Sequence, residues 1–594
     1  MTAHTIAVLP FVNMSSDKEN EYFSDGITEE IITALSRIEN LKVTSRTSSF
    51  YFKNKSFPLK EVASQLGVAI ILEGSVRVSG TMLRITAQLI QAEEDFHFWS
   101  ETWDRKLENI FETQDEISLI IADKLREQFG HFEISDHLVE KQTDNLDAYE
   151  YSLRARYHFN KWNPQDAEMA IDLWEKVLAL DPHHVESYVG LADAYGFMAT
   201  TGFMPYVEAW QKTSDYTQKA LALNPRHAGA HYQLANISFF TNADFQEAFQ
   251  HGLKAVEYMP NYPEAQQFMS FLYILADETQ KSWEHLSKAL EIDPLNQETL
   301  FYKAYYLYRT GKVEDALDLL EQCLHHNPKN IPAIITKCYC LLILNRSGEA
   351  LDFIHAQPAE IIVPGDKLGI TALAHIIGGM ENQVKTSFNQ LLEESQNPMA
   401  FQQHSYLFQA YAQKGKNDEA FNWLQKAMEL KSSILLLGFS DPLAGPLKRD
   451  PRYQEFRVKM YGILPEHTFA RKKPPLLDEQ TARDYQALLL QHISEEEPFL
   501  NPQLSLRSLA QQLQIHPNQL SWLLNEKLGK NFNEFINHYR VETFKGLATN
   551  PSNSHISLIG LAYESGFNSK TVFNTYFKKE VGMTPKEFLK ASKA

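Results

Sequence analysis

Ten side chains near the C-terminal end form two sets whose chemistry suits the edges of stacked bases. Asn518, Ser521, Trp522 and Asn525 lie at helical spacing in LSLRSLAQQLQIHPNQLSWLLNEKLG, and Ser569, Lys570, Thr571, Asn574, Thr575 and Lys578 lie so in ISLIGLAYESGFNSKTVFNTYFKKEVG. An asparagine amide can donate to and accept from adenine at once, a lysine can bond guanine, and threonine or tryptophan can cover a thymine methyl. Ser569 stands where a helix would start, so its hydroxyl can cap that helix and the first backbone N–H groups can face a phosphate.

These groups can read a groove only if helices hold them outward. Leu520, Leu523 and Leu524 fall on the opposite side of the first helix, and Phe573 and Phe577 on that of the second. A turn precedes each helix, Gln514-Ile515-His516 in one and Gly566-Phe567-Asn568 in the other. Before each turn comes a shorter amphipathic helix carrying Leu509-Ala510 or Leu561-Ala562, 52 positions apart, where the alanine lets two helices cross closely. That is a helix-turn-helix written twice, its second helix shaped for a major groove. Two such helices on one domain would enter successive major grooves on one face of duplex DNA, about 34 Å apart. Pro517 suits a first helical position, whereas His516 before it belongs to a residue type that caps poorly.

Charge follows the same division. The 594 residues hold 56 Lys+Arg and 75 Asp+Glu, a net of −19, yet residues 501–594 alone hold 11 and 6. A basic end on an acidic body confines polyanion binding to that end. From about residue 485 onward the chain resembles the DNA-binding domain of the AraC-type regulators of bacterial transcription. The resemblance rests on Tyr539-Arg540, the helix-compatible run through Leu547, Ile556, Ala562, Gly566-Phe567, Phe573, Phe577-Lys578, Gly582, and Thr584-Pro585 ahead of Phe588. It implies that the two outward faces contact bases and phosphates of double-stranded DNA.

The middle of the chain is periodic. Prolines 182, 225, 260, 294 and 328 are 43, 35, 34 and 34 residues apart, and Ala220, Ala255 and Ala289 each precede one by five. A period of 34 is that of tetratricopeptide helix pairs, which stack into a solenoid. YLYRTGKVEDALDLLEQCLHHNP is the clearest copy, and a later one contains Gly415, Ala420 and Ala427. Between them the period blurs over 359–397, where degenerate helix pairs are expected. Such arrays take a peptide or protein on their inner surface. The tyrosines at 302, 305, 306 and 308 are expected chiefly to pack between helices. The His183-His184 and His325-His326 pairs are expected to cap helix C-termini rather than bind metal.

The first 130 residues alternate differently. Strand, helix, strand, helix, a hairpin turning at Ser79-Gly80, a third strand after it and a closing helix give a βαβαβββα order, with Asp25-Gly26 at the entry of the first helix. Ala7-Val8-Leu9-Pro10-Phe11, Tyr22-Phe23-Ser24-Asp25-Gly26, Glu73-Gly74-Ser75-Val76 and Trp103-Asp104-Arg105 resemble the TolB amino-terminal-like domain. That resemblance implies a sensory or protein-binding role. Arg46, Arg77 and Arg84 are candidates for an anionic ligand.

The expected fold is therefore multidomain and mainly α. An α/β domain (1–130) leads, a tetratricopeptide α-solenoid (145–460) and a linker (461–482) follow, and an all-α double helix-turn-helix domain (483–594) ends it. The linker is proline-bearing and locally basic at Arg471, Lys472 and Lys473. Cys323, Cys338 and Cys340 make no CxxC pair, no secretory leader is evident, and no apolar run approaches 18 residues, so a reduced, cytoplasmic, membrane-free protein is expected. P-loop, GxGxxG, GxSxG and HExxH patterns are absent, so no enzyme, cofactor or metal is expected. The function so read is sequence-specific regulation of transcription. Input on the first two domains would change the orientation or dimerisation of the third, with room for a homodimer. The alternative is an adaptor whose solenoid assembles partners while the tail localises it.

Overall fold

In a computed structural model the described residues are 4–592, apart from 18–19, 95, 140, 162, 201–202, 359–360, 363, 463 and 465–474. The basic cluster Arg471, Lys472 and Lys473, and half of the expected linker, lie outside them. Among the described residues the chain is mainly helical, with strands confined to its first part.

That part follows the expected order: β1 (Thr5–Val8), β2 (Val12–Asn13), α1 (Glu21–Ser36), β3 (Lys42–Val43), α2 (Arg46–Phe50), α3 (Leu59–Leu66), β4 (Ile70–Ser79), β5 (Met82–Gln91), β6 (Phe96–Lys106) and α4 (Ile110–Phe129). Strand order is β3-β1-β4-β5-β6, with β1 parallel to both neighbours, β4 to β6 antiparallel, and β2 beside the far half of β4. Period-two alternation divides the sheet's two faces. Ile6, Val8, Ile70 and Leu72 join the core built with α1 and α4, while Ala7 and Ile71 pack with Val62, Ala63 and Leu66 of α3. Asp25 and Gly26 do not enter α1 but lie inside it, both buried. Asp25 pairs with Lys53 at 2.6 Å, and a Cβ on Gly26 would stand 2.7 Å from Leu153. The short helix α2 is an addition to the expected order, started by Ser45, which caps it by accepting from Ser48 N at 3.2 Å. Two of the three candidate arginines are held by carboxylates, Arg46 by Glu29 and Arg84 in a two-point pair with Asp104 (2.7 and 2.8 Å), while Arg77 lies opposite Arg84 in the β4–β5 register.

Eighteen helices follow among the described residues, α5 (Leu146–Phe159) to α22 (Arg452–Tyr461). Ala220, Ala255 and Ala289 are fully buried, and each carbonyl accepts from the N–H just ahead of the repeat's proline at 2.8–3.0 Å. The helix thus closes where proline cannot continue it. The blurred stretch holds α17 (Pro364–Ile377) and α18 (Glu381–Glu394), an ordinary pair. His184 corrects an expectation: its Nδ1 accepts from Ser187 N at 3.2 Å, so it caps a helix N-terminus. All three cysteines are buried, and burial pushes the Cys338 and Cys340 thiols up to about 12.

The array turns back on itself. Tyr308, at the end of α13 (Gln297–Arg309), donates to Asp441 at 2.8 Å, and Arg309 reaches the Ser440 carbonyl at 3.0 Å. Arg457 donates to the Ala276 carbonyl at 3.0 Å, and Phe439 stacks on Tyr453 with ring centres 4.7 Å apart. Residues 433–461 therefore pack back against the array at residues 276 and 308–309.

The α/β domain is fastened to the array at two places. Near its start, Arg156 of α5 pairs with Glu30. Near its middle, Ser48 donates to Asp293 at 2.6 Å and Asn261 donates to the Ser36 and Leu41 carbonyls at 3.0 Å. No helix among the described residues is long and apolar enough to cross a membrane.

Candidate nucleic-acid interface

The C-terminal helices are α23 (Glu479–Glu496), α24 (Leu506–Leu513), α25 (Pro517–Leu528), α26 (Phe532–Thr549), α27 (Leu558–Glu564), α28 (Lys570–Val581) and α29 (Pro585–Ser592). They form two small cores. Leu509, Ala510, Leu520, Leu523 and Leu524 belong to one with α23, and Leu561, Ala562, Phe567, Phe573 and Phe577 belong to the other with α26. Leucines and phenylalanines at helical spacing thus turn α25 and α28 inward on one side and leave the polar set opposite.

Corresponding turns are built differently. Gln514 occupies the left-handed region (φ +56), an arrangement that costs a side-chain-bearing residue about 1–2 kcal/mol. Its counterpart Gly566 (φ +92) meets a harder demand, because a Cβ there would stand 2.2 Å from the Phe499 carbonyl oxygen. The second turn is pressed against the backbone of the first unit. Arg540 of α26 completes that junction, donating through Nε to Phe499 O at 2.7 Å and through Nη2 to Asn501 O at 2.9 Å. Burial lowers its guanidinium to about 10. The two units therefore share one joint built of backbone carbonyls and a buried arginine.

Caps fix both α25 and α28. Ser569 accepts from Val572 N at 3.5 Å, as expected of it. His516, expected to cap poorly, does cap. Its Nδ1 accepts from Asn518 N at 3.2 Å while the Gln519 side chain accepts from His516 N at 3.1 Å, a reciprocal capping box.

On α28 the residues Lys570, Thr571, Asn574, Thr575 and Lys578 are all exposed, forming one continuous polar face flanked by Ser569. The set on α25 is not. Asn518 accepts from Arg126 Nη1 and from Ile134 N (3.2 Å), and its Nδ2 donates to Ile134 O at 3.1 Å. Ser521 is 1 % exposed. The Gly130 backbone lies so close to Asn525 that a Cβ there would be 2.6 Å from Oδ1. Trp522 is half-buried against the core of the first unit, with Lys527 over its ring at 5.7 Å. The polar face of α25 is thus a contact with the α/β domain, made by the end of α4 and the segment after it.

Sequence reasoning missed the other half of that contact. Glu127 accepts from Leu506 N at 2.7 Å, Asp123 accepts from Arg507 Nε at 2.8 Å, and Asn531 donates to Gln128 O at 3.1 Å. Asp123, Arg126 and Glu127 are buried charged residues on one face of an amphipathic helix. That pattern was the only available signal, and it names no partner.

Comparison with known proteins agrees with this division. Residues 509–591 match the model of a helix-turn-helix domain. Residues 2–120 match that of the second domain of HilA/YgeH-like transcriptional regulators, and residues 279–356 that of subunit 3 of the anaphase-promoting complex, or cyclosome. A protein of Rhizobium meliloti (strain 1021) named "Putative adenylate cyclase 3" is 37% identical over 220 residues. The match takes in 37% of this chain and 36% of that protein, so the chain spans about a third of the relative's length. Among solved structures, a tetratricopeptide repeat protein of Parabacteroides merdae is 11% identical, with a TM-score of 0.29, over 48% of this chain and 100% of that one. Yeast Tom70 is 17% identical with a TM-score of 0.28 over 59% and 77%. Scores of this size leave the repeats to be judged from their own helix pairing.

Proposed function

We propose that the chain is a DNA-binding regulator of transcription whose C-terminal domain, AraC-like in plan, reads double-stranded DNA through α25 and α28. The observation that carries this is the joint. Two helix-turn-helix units are locked by α26, Arg540 and the Gly566 turn, and α28 offers lysine, threonine and asparagine on one open face. The family matches at residues 509–591 and 2–120 support the same reading. Of the ten reading candidates, Ser569, Lys570, Thr571, Asn574, Thr575 and Lys578 would engage first. Asn518, Ser521, Trp522 and Asn525 would engage the neighbouring major groove only when uncovered. The α/β domain, TolB-like by its sequence, and the repeats would receive the input as a peptide, protein or small molecule.

The test is selectivity. The full chain should prefer its best selected duplex over random duplex by a factor of about 10³ or more at physiological salt. A factor near one, with affinity falling steeply as salt rises, would favour an adaptor that uses the tail only for localisation.

A further inference from the structure

Three features bear on how the reading face is controlled. First, the contact consumes the groups that would read DNA. Both polar atoms of the Asn518 amide, which a bidentate adenine contact would need, are bonded to Arg126 and to the Ile134 backbone. The Gly130 backbone also stands against Asn525, in the space into which a base edge would have to come, and Ser521 is buried.

Second, the contact is electrostatically opposed to DNA. A free N–H at the start of α24 and the adjacent Arg507 are suited to a phosphate. Here carboxylates hold them instead, Glu127 on Leu506 N and Asp123 on Arg507. A DNA backbone and this face of α4 compete for the same donors.

Third, the contact is separable. The core of the α/β domain and the core of the first helix-turn-helix unit contain no common residue. Between them run hydrogen bonds and ion pairs, beside a cavity of about 290 Å³ lined by Glu116, Leu119, Ile120, Lys124, Ser505 and others. A polar, imperfectly filled junction between domains that own their cores opens without unfolding either.

Resting on the DNA-reading role proposed above, we infer that the α/β domain inhibits the first reading helix in cis: α4 and residues 130–134 cover α25 and leave only α28 open, and release of this contact converts a one-groove binder into a two-groove binder.

The test uses the full chain. Random duplexes are selected with the unaltered chain and with Asp123→Arg, which sets a third guanidinium beside Arg126 and Arg507, and the products are footprinted. The unaltered chain should protect one short motif. Asp123→Arg should protect two, about one helical turn apart, and bind at least tenfold more tightly. A second chain, Gln128→Cys/Asn533→Cys, replaces side chains that bond across the joint at 3.2 Å and is closed with a short bismaleimide, to which the buried native cysteines are inaccessible. The closed form should protect one motif, and adding Asp123→Arg to it should change nothing. Two motifs protected by the closed form would overturn the inference even if Asp123→Arg failed to fold. Equal two-motif protection by the unaltered chain and Asp123→Arg would overturn it while leaving the DNA-reading role intact. If no chain selects any motif, the DNA-reading role itself falls, and the inference with it.

Discussion

The two helices proposed to read DNA come from nearly the same local plan and end in opposite circumstances. α25 and α28 each follow a left-handed turn residue, carry a side-chain cap and bury their apolar side against a short partner helix. α28 leaves its polar face in solvent, whereas α25 has its polar face bonded to a helix nearly 400 positions earlier. A helix's periodicity therefore tells which side is free of its own domain, and tells nothing about whether another domain has taken that side.

Four sets of substitutions sharpen or break the comparison. The largest effect is expected at the turns. Gly566→Ala puts a Cβ 2.2 Å from a backbone oxygen at φ +92, so it should cost at least about 3 kcal/mol of stability in the C-terminal domain. The matching Gln514→Gly relieves a left-handed side chain and should be neutral or stabilise by up to about 1 kcal/mol. Urea unfolding of residues 475–594, whose cores draw only on residues 477–588, measures both, and equal effects would break the distinction between the turns.

Arg540→Met should come next. It leaves the Phe499 and Asn501 carbonyls without their donor and should cost about 1–3 kcal/mol. Two unfolding transitions where the unaltered domain shows one would show that this arginine joins the units.

Third, Asn574→Ala should lower affinity for a selected duplex by about 1–3 kcal/mol, concentrated at one base position. Asn518→Ala in the full chain should cost none of that, because its amide is committed to Arg126 and Ile134. Titration of singly altered duplexes decides it, and equal losses would mean that both faces read DNA in the resting chain.

The smallest effect concerns the caps. Ser569→Ala should destabilise by about 1 kcal/mol and His516→Ala by about half that, seen in the same urea experiment. The reverse order would mean that the histidine box is the stronger cap.

Much of this was legible in the sequence. Lys570, Asn574 and Lys578 fall on one face because Phe573 and Phe577 fix the other. The 34-residue proline period located the helix pairs. What stayed hidden depended on contacts far along the chain. Asn518 and Asn525 lie on the predicted outer side of α25, but no local pattern says that Arg126 and Gly130 stand over them. Nor does any local pattern tell that Asp441 and Phe439 return to the array beside Tyr308. His516 was misjudged for a different reason: residue-type averages hide the fact that an unprotonated imidazole nitrogen can accept from a backbone N–H when Gln519 completes the box.

The most direct measurement of the central claim is selection of random duplex DNA by residues 475–594 alone at near-physiological salt. With the α/β domain gone, both reading helices are open, and the account predicts a recovered site of two short motifs about one helical turn apart. Recovery of no motif, with binding that vanishes as salt rises, would contradict it.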